Sequence, residues 1–124
     1  MGQRLILIIS SISGLLAVGL GAFGAHALKG ILTANGRMET YELATRYHFY
    51  HTIALLVVGL LADKYPGVGT GAIFFLAGII IFSGSLYTLS LTNQTWWGAI
   101  TPIGGVMLLA GWGNLLWTFF KSSK

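Results

Sequence analysis

At 124 residues, with 55% apolar and only 8% charged side chains, the chain has more apolar surface than a soluble domain of its size can hide, because small domains leave much of their surface in water. Ordinary globular domains carry ~25% charged residues, so lipid is the expected solvent. The formal charge of +4 comes from seven dispersed Lys and Arg that form no basic run, which excludes nucleic acid; the lack of cysteine excludes disulfides, thiol catalysis and thiolate metal sites.

The first apolar segment runs from Leu5 to Leu28. Ala25-His26-Ala27 has the form of a signal-cleavage site, but the stretch is longer than the usual ~7 to 15 apolar residues of a signal peptide. A retained span is expected. Gly14, Ala17, Gly21, Gly24 and Leu28 fall at spacings of three and four. Such small-residue faces let helix backbones approach closely, which matters where apolar burial gives little drive. The face serves either packing within the chain or association with a second copy.

The second segment, Tyr41 to Ala62, is the most informative. Its apolar run from Thr52 to Ala62 has eleven residues, whereas a bilayer core needs roughly 20. It can span only by carrying part of the polar stretch Glu42, Arg46, His48 and His51 into the membrane, where ionisable groups are costly. Glu42 precedes Arg46 by four residues, the favourable order for a helical ion pair. With Tyr41 at the interface, Arg46 lies roughly 7 Å in and His51 roughly 15 Å in. Tyr47 is one turn before His51 and within reach of a hydrogen bond to it. His26, at the end of the first span, reaches the same layer.

The third segment covers Val68 to Leu91 and the fourth Gly98 to Phe120. In the third, Ser83, Ser85 and Tyr87 are candidate partners of the polar layer. In the fourth, Thr101-Pro102 precedes Gly104-Gly105, and a helix starting at Trp96 or Trp97 would place Pro102 inside and kink there. Asn35-Gly36 and Pro66-Gly67 mark turns. The short links make sequence neighbours adjacent, so the expected fold is all-α, a single transmembrane domain over 1–124 built as an up-down bundle of four helices. Arg4, Lys64, Lys121 and Lys124 lie on one side, and Lys29 and Arg37, with Arg46 if it snorkels, on the other. The excess puts both termini in the cytoplasm.

The polar layer admits several readings: a satisfied layer that locks helix pairing, a site for a lipid headgroup or small ligand, a proton relay through His51, or a metal site at His48 and His51. A lone H-x-x-H is a weak metal signal. No nucleophile elbow or zinc-hydrolase motif is present, so no enzymatic activity, cofactor or metal is expected.

Four blocks carry a resemblance: Gly21 to Leu28 (GAFGAHAL), Tyr47 to His51 (YHFYH), Phe82 to Tyr87 (FSGSLY), and Gly98 to Gly105 (GAITPIGG) followed by Gly111-Trp112. Together they cover all four segments and are similar to the YgdD/YwdK-like family of small bacterial membrane proteins, a family of unknown function. The resemblance implies a helical bundle in the cytoplasmic membrane and no particular activity. It places His26, Tyr47, Tyr50, His51, Ser83, Ser85, Tyr87, Thr101 and Pro102 on family motifs. The place of His48 often holds glutamine in sequences of this type, which favours His51 over a His48–His51 metal pair. The expected protein is an oligomeric four-span bundle in contact with membrane lipids. Its ligand site is drawn from His26, Glu42, Arg46, Tyr47, His51, Ser83, Ser85 and Tyr87. A small proton- or ion-coupled transporter using His51, and a purely structural scaffold, are the alternatives.

Overall fold

A computed structural model describes residues 1–122, and Lys124 of the charge count lies outside them. Among these residues the chain is all-α. It runs through α1 (Gln3–Ala25), a short α2 (Lys29–Asn35), α3 (Met38–Leu61), α4 (Val68–Gly78), a π-helical turn (Ile79–Ser83), α5 (Gly84–Thr92), a 3-10 turn (Thr95–Ala99) and α6 (Thr101–Lys121). The turn signals act where expected. Gly36 ends α2 in the left-handed region at φ 66°, and the chain breaks between α3 and α4 at Pro66-Gly67.

Three stretches among the described residues are long and apolar enough to cross a membrane, Gln3–Ala25, Val68–Thr92 and Thr95–Lys121. The 24-residue α3 is not among them, because Glu39, Glu42, Arg46, two histidines and three tyrosines lie between Met38 and His51. Two details of the fourth segment depart from expectation. The Trp96-Trp97 turn is 3-10 and separate, so α6 starts at Thr101 and holds Pro102 in its first turn. There a missing N–H costs nothing, and the kink foreseen at Pro102 has no cause. The connection after α1 also contains α2. Its Asn35 side-chain amide donates to the carbonyls of Ser90 (3.0 Å) and Leu91 (3.3 Å), groups that the end of α5 leaves without helical partners. Arg37 Nε donates to Asn93 Oδ1 at 2.9 Å beside them.

Sequence neighbours pack side by side: α1 along α3, α3 against the α4–α5 rod, and α6 along α4 and the π turn. The α1–α3 seam uses the small face of α1, with Gly14 beside Thr52, Gly21 beside Thr45 and Gly24 under the Tyr41 ring. Ala17 on the same face is fully buried. The seam between α6 and the rod works alike, with Gly104 on the Phe82 backbone, Gly111 on the Phe75 ring and Gly78 on Leu108. These glycines are therefore occupied within the chain. Two apolar clusters result. One gathers Ile6, Leu55, Val58, Phe75 and Leu108, and a smaller one Ala44, Leu86 and Leu89. The polar residues lie between them.

A Cβ on Gly104 would run into the Phe82 amide nitrogen, a backbone atom that cannot step aside. Gly104→Ala is expected to destabilise by about 1–3 kcal/mol, read as a lower melting temperature in detergent. Gly113→Ala meets nothing within 4 Å and should leave the melting temperature unchanged or raise it. Equal melting of the two variants would refute this packing.

Candidate functional site

The middle of the molecule holds a closed set of polar contacts centred on His48, which α3 turns inward so that it is buried. Thr52 Oγ1 donates to the His48 carbonyl at 2.7 Å. Its single proton is thereby used, so in the 2.6 Å contact between Ser13 and Thr52 it is Ser13 that donates. Ser13 must then accept from His48 Nε2 at 3.1 Å, and the Tyr87 hydroxyl donates to His48 Nδ1 at 3.0 Å. Donor counting thus assigns His48 the neutral Nε2–H tautomer. The order runs from Tyr87 through His48 and Ser13 to Thr52, joins α5, α3 and α1, and ends on a helix carbonyl.

His51 lies nearly one turn further along α3 and takes the opposite tautomer. The Trp112 indole N–H of α6 donates to His51 Nε2 at 3.0 Å. The ring's Nδ1 must then carry the proton and donate to the Tyr47 carbonyl at 2.9 Å. The expected link between Tyr47 and His51 thus exists, but through the backbone carbonyl and ring stacking at 5.8 Å. Around this pair stand Phe75 and Phe82, with Phe75 edge-on to Trp112 and Phe82 against Tyr47.

The other expected site residues divide. Ser83 Oγ donates to the Ala44 carbonyl at 2.9 Å and ties the π turn to α3. Ser85 shares a 2.6 Å contact with Thr101 and ties α5 to α6. Tyr87 joins His48, with its ring edge-on to Tyr41 at 5.1 Å. Glu42 and Arg46 are exposed on the outer face of α3 and stay outside the layer. His26 is exposed at the C-terminal cap of α1, where the chain has already turned toward α2, and it too stays outside. Ser13, Thr52 and Trp112 were not foreseen as partners. The signals were nonetheless present: Ser13 sits four residues before Ala17 on the small face of α1, Thr52 is four after His48, and Trp112 belongs to a family motif.

Three grooves open around the layer. Because α1 and α6 form no extended pairing with each other, grooves remain beside each. The larger, about 750 Å³, opens between α3 and α6 and has the His51–Trp112 pair on its floor. Its walls include Tyr47, Tyr50, Pro102, Val106 and Leu109. A second, about 360 Å³, lies between α1 and the π turn over His48. A third, about 340 Å³, follows the α1–α3 seam and is lined by Glu42, Thr45, Arg46 and Tyr50. Among the described residues no three His, Cys, Asp or Glu side chains converge on a metal position.

A protein-family model described as "Protein of unknown function (DUF423)" matches residues 20–105, a range containing α3, the π turn and the first turn of α6. The chain belongs to this family. It is 46% identical over 113 residues to the UPF0382 membrane protein YwdK of Bacillus subtilis, covering 89% of this chain and 91% of the relative. It is 42% identical over 120 residues to the UPF0382 membrane protein SAB0533 of Staphylococcus aureus, covering 96% and 98%. It is 37% identical over 118 residues to the UPF0382 inner membrane protein YgdD of Escherichia coli K12, covering 94% and 89%. No solved structure matches. The resemblance carried by the four blocks is thus a family relationship, and this is a small membrane protein of that family.

The two tautomers make a direct test. Nitrogen-15 spectra of the imidazoles should show His48 protonated at Nε2 and His51 at Nδ1, with Trp112→Phe moving the His51 signals alone. One shared tautomer would contradict the donor order. Tyr87→Phe leaves the buried His48 Nδ1 without its donor and should cost about 1–3 kcal/mol of stability, measured by detergent unfolding.

Proposed function

We propose that this protein is a four-span, non-enzymatic binding protein of the cytoplasmic membrane, with both termini cytoplasmic, whose α3–α6 groove holds the chain of a membrane amphiphile. Support for α3 as the fourth span comes from its neighbours. It packs on one side along α1 and on the other along the α4–α5 rod, both apolar enough to cross a membrane. A helix flanked in this way lies in the same slab. Its buried polar groups are tolerable there because His48, His51 and Thr52 all find partners inside the protein.

The observation that carries the binding reading is the character of the large groove. It opens on the side of the bundle between α3 and α6, its walls are mainly aliphatic and aromatic, and the buried His51 on its floor is already satisfied by the His51–Trp112 bond. A concave apolar surface with few polar groups suits a hydrocarbon chain. Tyr50, 58% exposed at the rim, offers a hydroxyl to the polar end of such a ligand. Self-association is part of this reading, supported by Gly19 of α1, which meets no neighbour within 4 Å.

Val106 is 64% exposed and lines the groove, so Val106→Trp fills it without entering the core, as does Leu109→Trp. Both variants are expected to melt like the parent yet lose the lipid seen by native mass spectrometry after gentle solubilisation. Parental lipid retention in stably folded variants would overturn the reading.

A further inference from the structure

The groove along the α1–α3 seam differs from the other two in holding charge of both signs. Glu42 and Arg46 line it one helical turn apart, with Thr45 between them and Tyr50 at its far end. Its floor is made by Gly21, Gly24 and Ala25 of α1, which offer little side-chain bulk. Tyr50 also lines the α3–α6 groove. The charged groove and the chain-binding groove therefore flank the same crest of α3 and meet at one residue.

The order of the charges along α3 is specific. Glu42 is nearer the helix end and hence the membrane surface, and Arg46 is about 6 Å deeper, given the 1.5 Å rise per residue. A phospholipid headgroup bearing an amine has the same order, with the phosphate beside the glycerol and the ammonium outside it. A guanidinium is the side chain best shaped for phosphate oxygens, and a carboxylate accepts the N–H donors of a primary ammonium. Two carbons separate phosphate from ammonium in ethanolamine, and the flexible Glu and Arg side chains accommodate the difference from one helical turn.

We propose that Glu42 and Arg46 form a headgroup site for phosphatidylethanolamine, with the phosphate on Arg46, the ammonium on Glu42, and an acyl chain passing Tyr50 into the α3–α6 groove. This rests on the chain-binding role of that groove and specifies its ligand. Phosphatidylglycerol lacks the cation that Glu42 requires. Phosphatidylcholine keeps the charges but has no N–H to donate.

The test uses the full chain in detergent with equal amounts of dioleoyl phosphatidylethanolamine, phosphatidylcholine and phosphatidylglycerol, and counts retained lipids by native mass spectrometry. The parent should retain phosphatidylethanolamine over both others. Glu42→Gln and Arg46→Gln should lose that preference. The decisive variant exchanges the two, Glu42→Arg with Arg46→Glu. It keeps opposite charges four residues apart, though in the less favourable order for a helical pair, and reverses the order seen by the headgroup. It should still fold cooperatively and lose the preference. Equal retention of the three lipids by the parent, or an unchanged preference in the exchanged variant, overturns the headgroup site. Val106→Trp separates the two proposals. Loss of all lipid there, with no headgroup preference in the parent, leaves the chain groove standing and the headgroup site refuted. A surviving preference in Val106→Trp refutes the path of the chain instead.

Discussion

In a hydrocarbon medium a polar group must find its partner inside the protein, because no water is there to serve. That constraint is met here at His48. One imidazole fixes the proton positions of Tyr87, Ser13 and Thr52 and joins three helical segments at their middle. Each hydroxyl has one proton to give, so the directions follow in sequence and leave neither His48 nitrogen unpaired. The apolar clusters on either side of this layer are less directional. Leu or Val side chains against lipid tails have almost as good surroundings as against each other.

Close backbone approach provides the other half of the architecture. Gly104 and Gly111 bring α6 onto the backbone of Phe82 and the ring of Phe75, while Gly21 and Gly24 seat α1 against Thr45 and Tyr41. These contacts consume most of the small-residue faces that could otherwise have joined two copies. They also fix where the grooves fall. With α1 drawn to α3 and α6 drawn to the α4–α5 rod, open space is left beside α6 over His51 and beside α1 over His48. The histidines thus play two parts at once: each closes a polar network and forms part of a groove wall.

Much of this is legible in the sequence. The deficit of apolar residues after His51 announced that α3 carries polar groups into the core of the fold, and the Asn35-Gly36 and Pro66-Gly67 turns lie where the helices end. Other features were not. Pro102 looked like a kink because the tryptophans ahead of it resemble a helix start, yet they form a separate 3-10 turn. Motif and depth favour His51 over His48, whereas His48 makes two interhelical bonds and His51 makes one. His26, Glu42 and Arg46 share the polarity of the layer but face outward. Depth along a helix axis was readable from residue spacing, but the side of the helix that meets a neighbour was not.

By itself the sequence determined that the chain is helical, apolar beyond what water tolerates, broken at glycine and proline turns, and obliged to satisfy polar groups in its second long helix. These follow from composition and from preferences that act over one or two turns. The tertiary structure alone decided which partner each polar group meets. Ser13 with His48, Trp112 with His51 and Thr101 with Ser85 are pairs set by the rotation of each helix about its axis. That rotation depends on how glycine faces on separate helices seat against one another, a condition no local stretch of sequence contains.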